Sequence, residues 1–336
     1  MQSLLDPAIL FFLFGVLAGA LKSNLEIPPP IAKFLSLYLL MALGLKGGFA
    51  LAQSGLSTSV MVSLAAAMLM AFIVPALGYQ LLKNRVSRFD AAAIAGSYGS
   101  VSAVTFVTAM QYLEANHMNP GGHMAVALVV MESPAIVMAV LLANMLRHVP
   151  QGSVSLSPSG GAALTTGGAP GGIPPLGKIL HESFTDGAHL LLLGAMAVGY
   201  LSGDAGSAMM APFSTDLFKG MLAFFLLDMG LMVARNFGSV RGQSPVLIAY
   251  ASLGPLVHAS IALALAVLLK LPAADAALLM VLSASASYIV VPAVLRYAIP
   301  EANPSLYFGL SLGITFPLNI LLGIPLYAFA AAQILG

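Results

Sequence analysis

The sequence predicts an all-α polytopic membrane protein with ten transmembrane helices, arranged as two inverted five-helix repeats whose crossing helices are broken. Three observations carry this reading. Charged residues make up 7% of the 336-residue chain and apolar residues 59%, and the mean hydropathy is +0.96, far from a soluble average of roughly 25% charged. Ten apolar runs of about 18 to 32 residues follow one another, long enough to cross a hydrocarbon core of about 30 Å at 1.5 Å per residue. Landmarks in the first five runs recur in order in the second five.

The expected spans are 5–22, 30–53, 57–82, 89–115 and 121–147, then 184–203, 211–235, 243–269, 273–299 and 303–334. Met1-Gln-Ser-Leu-Leu-Asp6 has neither a basic leader nor a small-residue cleavage site, so the first run reads as a retained span. From about Val149 to Pro175 the chain is rich in Gly, Ser and Pro without apolar periodicity, which reads as a linker. The chain thus divides into a first repeat at 1–148, a cytoplasmic linker at 149–177 and a second repeat at 178–336.

Asp90-Ala-Ala recurs as Asp275-Ala-Ala, and the same offset of 185 residues places Ser100 on Ser285 and Ser102 on Ser287. Nearby offsets pair Gly44-Leu45 with Gly230-Leu231 and Pro134 with Pro317. Five spans is an odd number, so the second copy enters the membrane from the opposite side. With both termini outside, ten of the thirteen Lys and Arg residues fall in inner loops, leaving Lys46, Lys219 and Lys270 outside, as the positive-inside rule requires.

Some function classes are excluded at once. No cysteine is present, hence no disulfide, thiolate nucleophile or cysteine metal site. A net charge of +1 offers no basic surface for nucleic acid. His-Glu-x-x-His does not occur and no serine has an evident His or Lys base at motif spacing, which argues against an intramembrane hydrolase. No acidic residue lies within 95–105 or 283–288, which argues against a proton antiporter.

Those two stretches, Ala95-Gly-Ser-Tyr-Gly-Ser-Val-Ser-Ala-Val-Thr105 and Ser283-Ala-Ser-Ala-Ser-Tyr288, are small and hydroxyl-rich inside apolar spans. Serines at every second position cannot share one helical face. Either the helix is surrounded by protein or it is interrupted, and exposed backbone then lines a cavity, since lipid does not tolerate unpaired N–H and C=O groups. Interruption exposes a half-helix N-terminus that attracts anions. Two such ends, with Ser100, Ser102, Thr105, Ser285 and Ser287, make a site for a small anion without arginine; the alternative is that the serines bond the preceding turn and let two helices cross closely.

Two carboxylates lie deep in apolar runs, Glu132 in the fifth span and Asp228 in the seventh. An ionised group there costs about 3 kcal/mol on insertion scales, which a cation offsets. Thr315 occupies the place of Glu132 in the second repeat, with Asn319 a turn further on; carboxylate, hydroxyl and amide oxygens suit sodium. A protonated Glu132 or an interhelical hydrogen bond is the alternative, and Asp228 has a structural reading too. Asp90 and Asp275 read as helix caps, His123 as a solvated loop residue and Lys46 as snorkelling to the outer interface.

Tyr98-Gly-Ser-Val-Ser-Ala-Val-Thr105, Met131-Glu-Ser-Pro134, Ser283-Ala-Ser-Ala-Ser-Tyr288, Pro300-Glu-Ala-Asn-Pro-Ser-Leu-Tyr307 and Gly313-Ile-Thr-Phe-Pro-Leu-Asn319 resemble the sodium-dependent bicarbonate transporter family of the SbtA type. Gly44-Leu-Lys-Gly-Gly48 and the span order match as well, and only the linker looks foreign. The resemblance implies core and gate domains, a homotrimer in the bacterial inner (plasma) membrane, and sodium-coupled symport of bicarbonate or a similar small organic anion, with sodium as the co-transported ion. It implies an anion site at Tyr98, Gly99, Ser100, Val101, Ser102, Thr105, Ala284, Ser285, Ala286 and Ser287. Sodium is expected close by, with Glu132, Ser133, Ser283, Thr315, Asn319 and Asp228 as candidate ligands. Family members also bind a cytoplasmic PII-like regulator. Where that family often has histidine, this chain has Ser97.

Overall fold

The computed structural model describes residues 6–55, 57–147, 187–240, 242–288 and 290–336, and among them every regular element is helical. The expected linker and the start of the sixth span lie outside the described residues. The elements are α1 Pro7–Ala20, α2 Pro29–Ser54, α3 Thr58–Leu82, α4 Arg88–Gly99, α5 Ala103–Ala115, α6 Met124–Arg147, α7 Gly187–Ala211, α8 Leu217–Asn236, α9 Pro245–Leu269, α10 Ala273–Ala284 and α11 Val290–Ala298. A last rod, α12, runs over Pro304–Leu335 and contains π-helical turns at Ser311–Thr315 and Asn319–Gly323.

Local chemistry sets the helix starts. Asp6, Ser57, Ser87, Ser102, Ser244 and Asn303 each accept a backbone N–H of the following first turn, which satisfies a donor that has no intrahelical partner. Seven stretches are long and apolar enough to cross a membrane: Pro29–Gln53, Thr58–Leu82, Arg88–Ala115, Met124–Ala143, Leu190–Asn236, Pro245–Leu269 and Pro304–Leu335. Shorter apolar helices occupy Pro7–Ala20 and Ala273–Ala284. Leu190–Asn236, at 47 residues, covers most of the expected sixth span and the whole of the seventh. It turns at Gly203, whose φ of 54° and ψ of −144° lie where only glycine sits without strain.

Two sets of helices can be distinguished by their packing. In the first set, α1 lies along α8 and α2 along α7. These contacts are backbone to backbone: a Cβ on Gly15 would stand 3.0 Å from Leu231 N, and one on Gly48 would stand 2.7 Å from Tyr200 N. Gly15 with Gly19, and Gly44 with Gly48, repeat the Gly-x-x-x-Gly spacing that lets membrane helices approach closely. In the second set, α3 packs on α4 and α6, α9 on α10, and α10 on the end of α12, while α4 also packs on α6. The alignment of Gly44 with Gly230 has a structural counterpart, because Gly44 abuts α7 and Gly230 abuts α1.

Candidate functional site

Both hydroxyl-rich stretches are breaks, as the serine alternation indicates. α4 ends at Gly99 and α10 at Ala284, and the next residues, Ser100 (φ −88°, ψ 175°) and Ser285 (φ −81°, ψ 166°), are both extended. The two breaks cross and hydrogen-bond to each other. Ser287 N–H donates to Ser97 O at 2.8 Å, and the Ser97 hydroxyl donates to Ser287 O at 2.6 Å. Ser102 N–H donates to Ser285 Oγ at 3.0 Å, while that hydroxyl donates to Leu282 O at 2.9 Å. Tyr98, Ser100, Val101, Ser102, Thr105, Ala284, Ser285, Ala286 and Ser287 are all buried. Gly99 is buried too, and a Cβ there would lie 2.7 Å from the Pro75 ring.

Several hydroxyls assigned to an anion are therefore engaged with backbone. Ser102 Oγ accepts from Thr105 N–H at 3.2 Å and Ser287 Oγ from Val291 N–H at 3.3 Å, capping α5 and α11. Ser100 differs, since among the described residues its buried hydroxyl has no hydrogen-bond partner. The first intrahelical bond of α5 runs from Phe106 N–H to Ser102 O at 3.0 Å. The N–H groups of Ala103 and Val104 lie ahead of it, at the positive end of the helix. A cleft of about 10 Å³, with room for no more than a water in this conformation, lies beside them, lined by Ala103, Val104, Val107, Leu39, Leu40, Phe225 and the hydroxyl-bearing Ser36 of α2. Ser36 escaped the sequence reading because it is a lone hydroxyl in an apolar run, with leucine at the corresponding place in the second repeat.

The candidate cation ligands divide into groups. Thr315 Oγ1 is 2.7 Å from Tyr98 Oη and donates to Ala251 O at 2.8 Å. Asn319 Nδ2 donates to Ala284 O at 2.8 Å, and its Oδ1 accepts from Tyr327 at 3.1 Å. Both lie in the π-helical turns of α12, a distortion frequent at functional sites. Glu132 is buried on α6, whose neighbours include α3, α4, α10 and α11. Ser133 precedes Pro134 on the same helix, and its side chain lies outside the described residues. Ser283 Oγ is buried and unpartnered among the described residues. Asp228 is half-buried on α8, in the other helix set. No cluster of three or more His, Cys, Asp or Glu occurs among the described residues, so a cation here would rest mainly on hydroxyl and carbonyl oxygens.

Four side chains differ from their expected roles. Asp90 and Asp275 are not the caps expected of them: Ser87 caps α4, Pro272 precedes α10 without a side-chain cap, and Asp90 Oδ1 accepts from Asn303 N–H and Asp275 Oδ1 from Gly121 N–H, each at 2.7 Å. Asp90 thus ties the first turn of α4 to the loop before α12, and Asp275 that of α10 to the loop before α6. His123 is buried rather than solvated, with Nε2 3.4 Å from Asp275 Oδ2. Lys46 does not snorkel freely but pairs with Glu114 at 2.7 Å. These pairs join residues 68 and 152 positions apart in the chain, beyond any local pattern.

A search of the curated proteins gave no match. The family model of the Na+-dependent bicarbonate transporter superfamily matches residues 7–332. With that match running through both broken helices and the α12 turns, the chain belongs to the Na+-dependent bicarbonate transporter superfamily and is a transporter, not an enzyme.

Proposed function

We propose that the protein is a sodium-coupled symporter that imports bicarbonate across the plasma membrane by alternating access. The observation that carries this is the pair of crossed breaks, hydrogen-bonded to each other, beside the first-turn N–H groups of Ala103 and Val104 at the start of α5. Such an end holds a small oxyanion without an arginine, and Ser100 and Ser36 add hydroxyls near it. The 185-residue spacing of the breaks and the swapped pairing of α1 with α8 and α2 with α7 support two inverted five-span repeats. α1, α2, α7 and α8 form the gate set in this reading, and the remaining helices the core. A homotrimer with both termini outside completes it.

Sodium is substrate as well. Thr315 and Asn319, bonded to Tyr98 and to Ala284 at the two breaks, supply oxygens together with Ser283 and the buried Glu132, with Ser133 and Asp228 as further candidates. Burying either ion alone is costly, and each lowers the cost for the other, so joint occupancy favours the closed intermediate. A one-to-one complex is neutral, so the membrane potential, about 2.3 kcal/mol per charge per 100 mV, neither drives nor opposes the loaded step.

The test is uptake of labelled bicarbonate into proteoliposomes with and without an inward sodium gradient, against protein-free vesicles. Wild type accumulates label only with sodium, and Glu132→Gln raises the sodium concentration for half-maximal uptake at least tenfold. Accumulation that ignores sodium would overturn the symport reading. Sodium-driven uptake of a small carboxylate in place of bicarbonate would move the substrate to another organic anion.

A further inference from the structure

α5 connects the candidate anion cleft to one end of the molecule. Its residues Val104, Val107, Gln111 and Glu114 recur every three or four positions, and so lie along one face. Val104 and Val107 line the cleft with Leu39 and Leu40 of α2 and Phe225 of α8. About 15 Å further along the helix, at 1.5 Å per residue, this seam ends at Glu114. There Lys46 Nζ of α2 lies 2.7 Å from Glu114 Oε2 and 2.9 Å from Oε1, and 5.2 Å from the centre of the Phe218 ring of α8. Between cleft and ion pair Leu43, Val107, Phe218 and Leu222 are each at most 2% exposed, and a separate cavity of about 90 Å³ opens beside Gln111, lined also by Asp6, Ala8, Lys219 and Leu222. At the opposite end of α8, a groove of about 870 Å³ separates α1 and α8 from α12 near Arg235. The two helix sets thus close on each other at the Glu114 end and stand apart near Arg235.

We propose that the Lys46–Glu114 pair is the gate of the seam, joined when that side is shut and broken each time it opens to the anion cleft. This rests on the transport reading above and on its division into two helix sets. The pair is the one lysine–carboxylate bridge among the described residues, and it joins the first helix set to the half-helix that carries the cleft. Its chemistry suits a gate. The side chains are 21% and 32% exposed, so water replaces the lost partner when they part, and such pairs stabilise the shut form only modestly. Separation also frees a lysine at the mouth, which attracts an anion. While the pair is made, that charge is neutralised.

The chain contains no cysteine, so one introduced cysteine reports on the seam alone. Leu43, 1% exposed on the seam and apart from the cavity at Gln111, is replaced by cysteine in the full-length protein in vesicles. A membrane-impermeant maleimide is then applied to each face separately. From the Glu114 face, Glu114→Gln and Lys46→Gln are each expected to raise the labelling rate about fivefold, the scale of one partly exposed ion pair. The exchanged pair, Lys46→Glu with Glu114→Lys, is expected to return the rate to within about twofold of the parent. An exposed cysteine at Ala115 controls for unfolding, its rate being the same in all variants. Unchanged Leu43→Cys labelling in both single variants would overturn the proposal, as would failure of the exchanged pair to restore protection. Sodium-driven uptake is followed in the same vesicles. A labelling response without bicarbonate uptake removes the substrate reading and keeps the gate, and uptake without a labelling response does the reverse.

Discussion

Ser285 shows what single side chains contribute to the crossing. Its hydroxyl accepts the Ser102 N–H and donates to Leu282 O, so Ser285→Ala leaves a buried backbone donor unpaired at a cost of about 1–3 kcal/mol. The expected outcome is a melting temperature lowered by several degrees in detergent, with an apparent bicarbonate affinity weakened about tenfold in uptake. An unchanged affinity would place Ser285 outside the site. The residues at stake were legible in the sequence, because alternate serines inside an apolar run fit no single helix face. Their bonding was not legible. Whether a hydroxyl faces a ligand or caps a half-helix depends on where the second break crosses the first, and that crossing joins residues 190 and 183 positions apart. For the same reason Lys46 read as an isolated cation: Glu114, which holds it, lies three helices later.

At the scale of the element, the approach of α2 to α7 and of α1 to α8 rests on missing side chains. Gly48 meets the Met196 carbonyl and Tyr200 N–H directly, so Gly48→Leu forces the helices apart. Overpacking of this kind costs about 1–3 kcal/mol. The expected result is a lower melting temperature and reduced transport, whereas Gly220→Ala, where a Cβ meets open space, leaves both unchanged. Equal stability of the two variants would refute the close-packing role. Hydropathy marked these helices, and the expected sixth span ends at 203, where Leu190–Asn236 turns; the positive φ of Gly203 itself was not legible, because a glycine in an apolar sequence does not announce one. The π-helical turns of α12 were hidden too, since Pro317 signals a disturbance without specifying its form.

At the scale of the whole molecule the proposed topology can be checked with the same cysteine-free background. With ten spans and an outer N-terminus, single cysteines at Gly55 and Asn116 are expected to react with impermeant maleimide from outside, and those at Asn84 and Gln243 from inside. Any of these reacting from the other face would refute the inverted-repeat arrangement. The overall class was readable from composition and span length alone. The partition into two helix sets was not, because α1 finds its main partner in α8, across the expected linker. That separation has a consequence for biogenesis. Ser97 and Ser102 complete their bonds only when Ser287 and Ser285 arrive. At about 5–20 residues per second, a ribosome takes roughly 10–40 s to make the intervening 185 residues. Throughout that interval the first break sits in or beside the insertion machinery with its backbone unsatisfied, so early release into lipid, rather than slow chemistry, is the hazard its synthesis has to avoid.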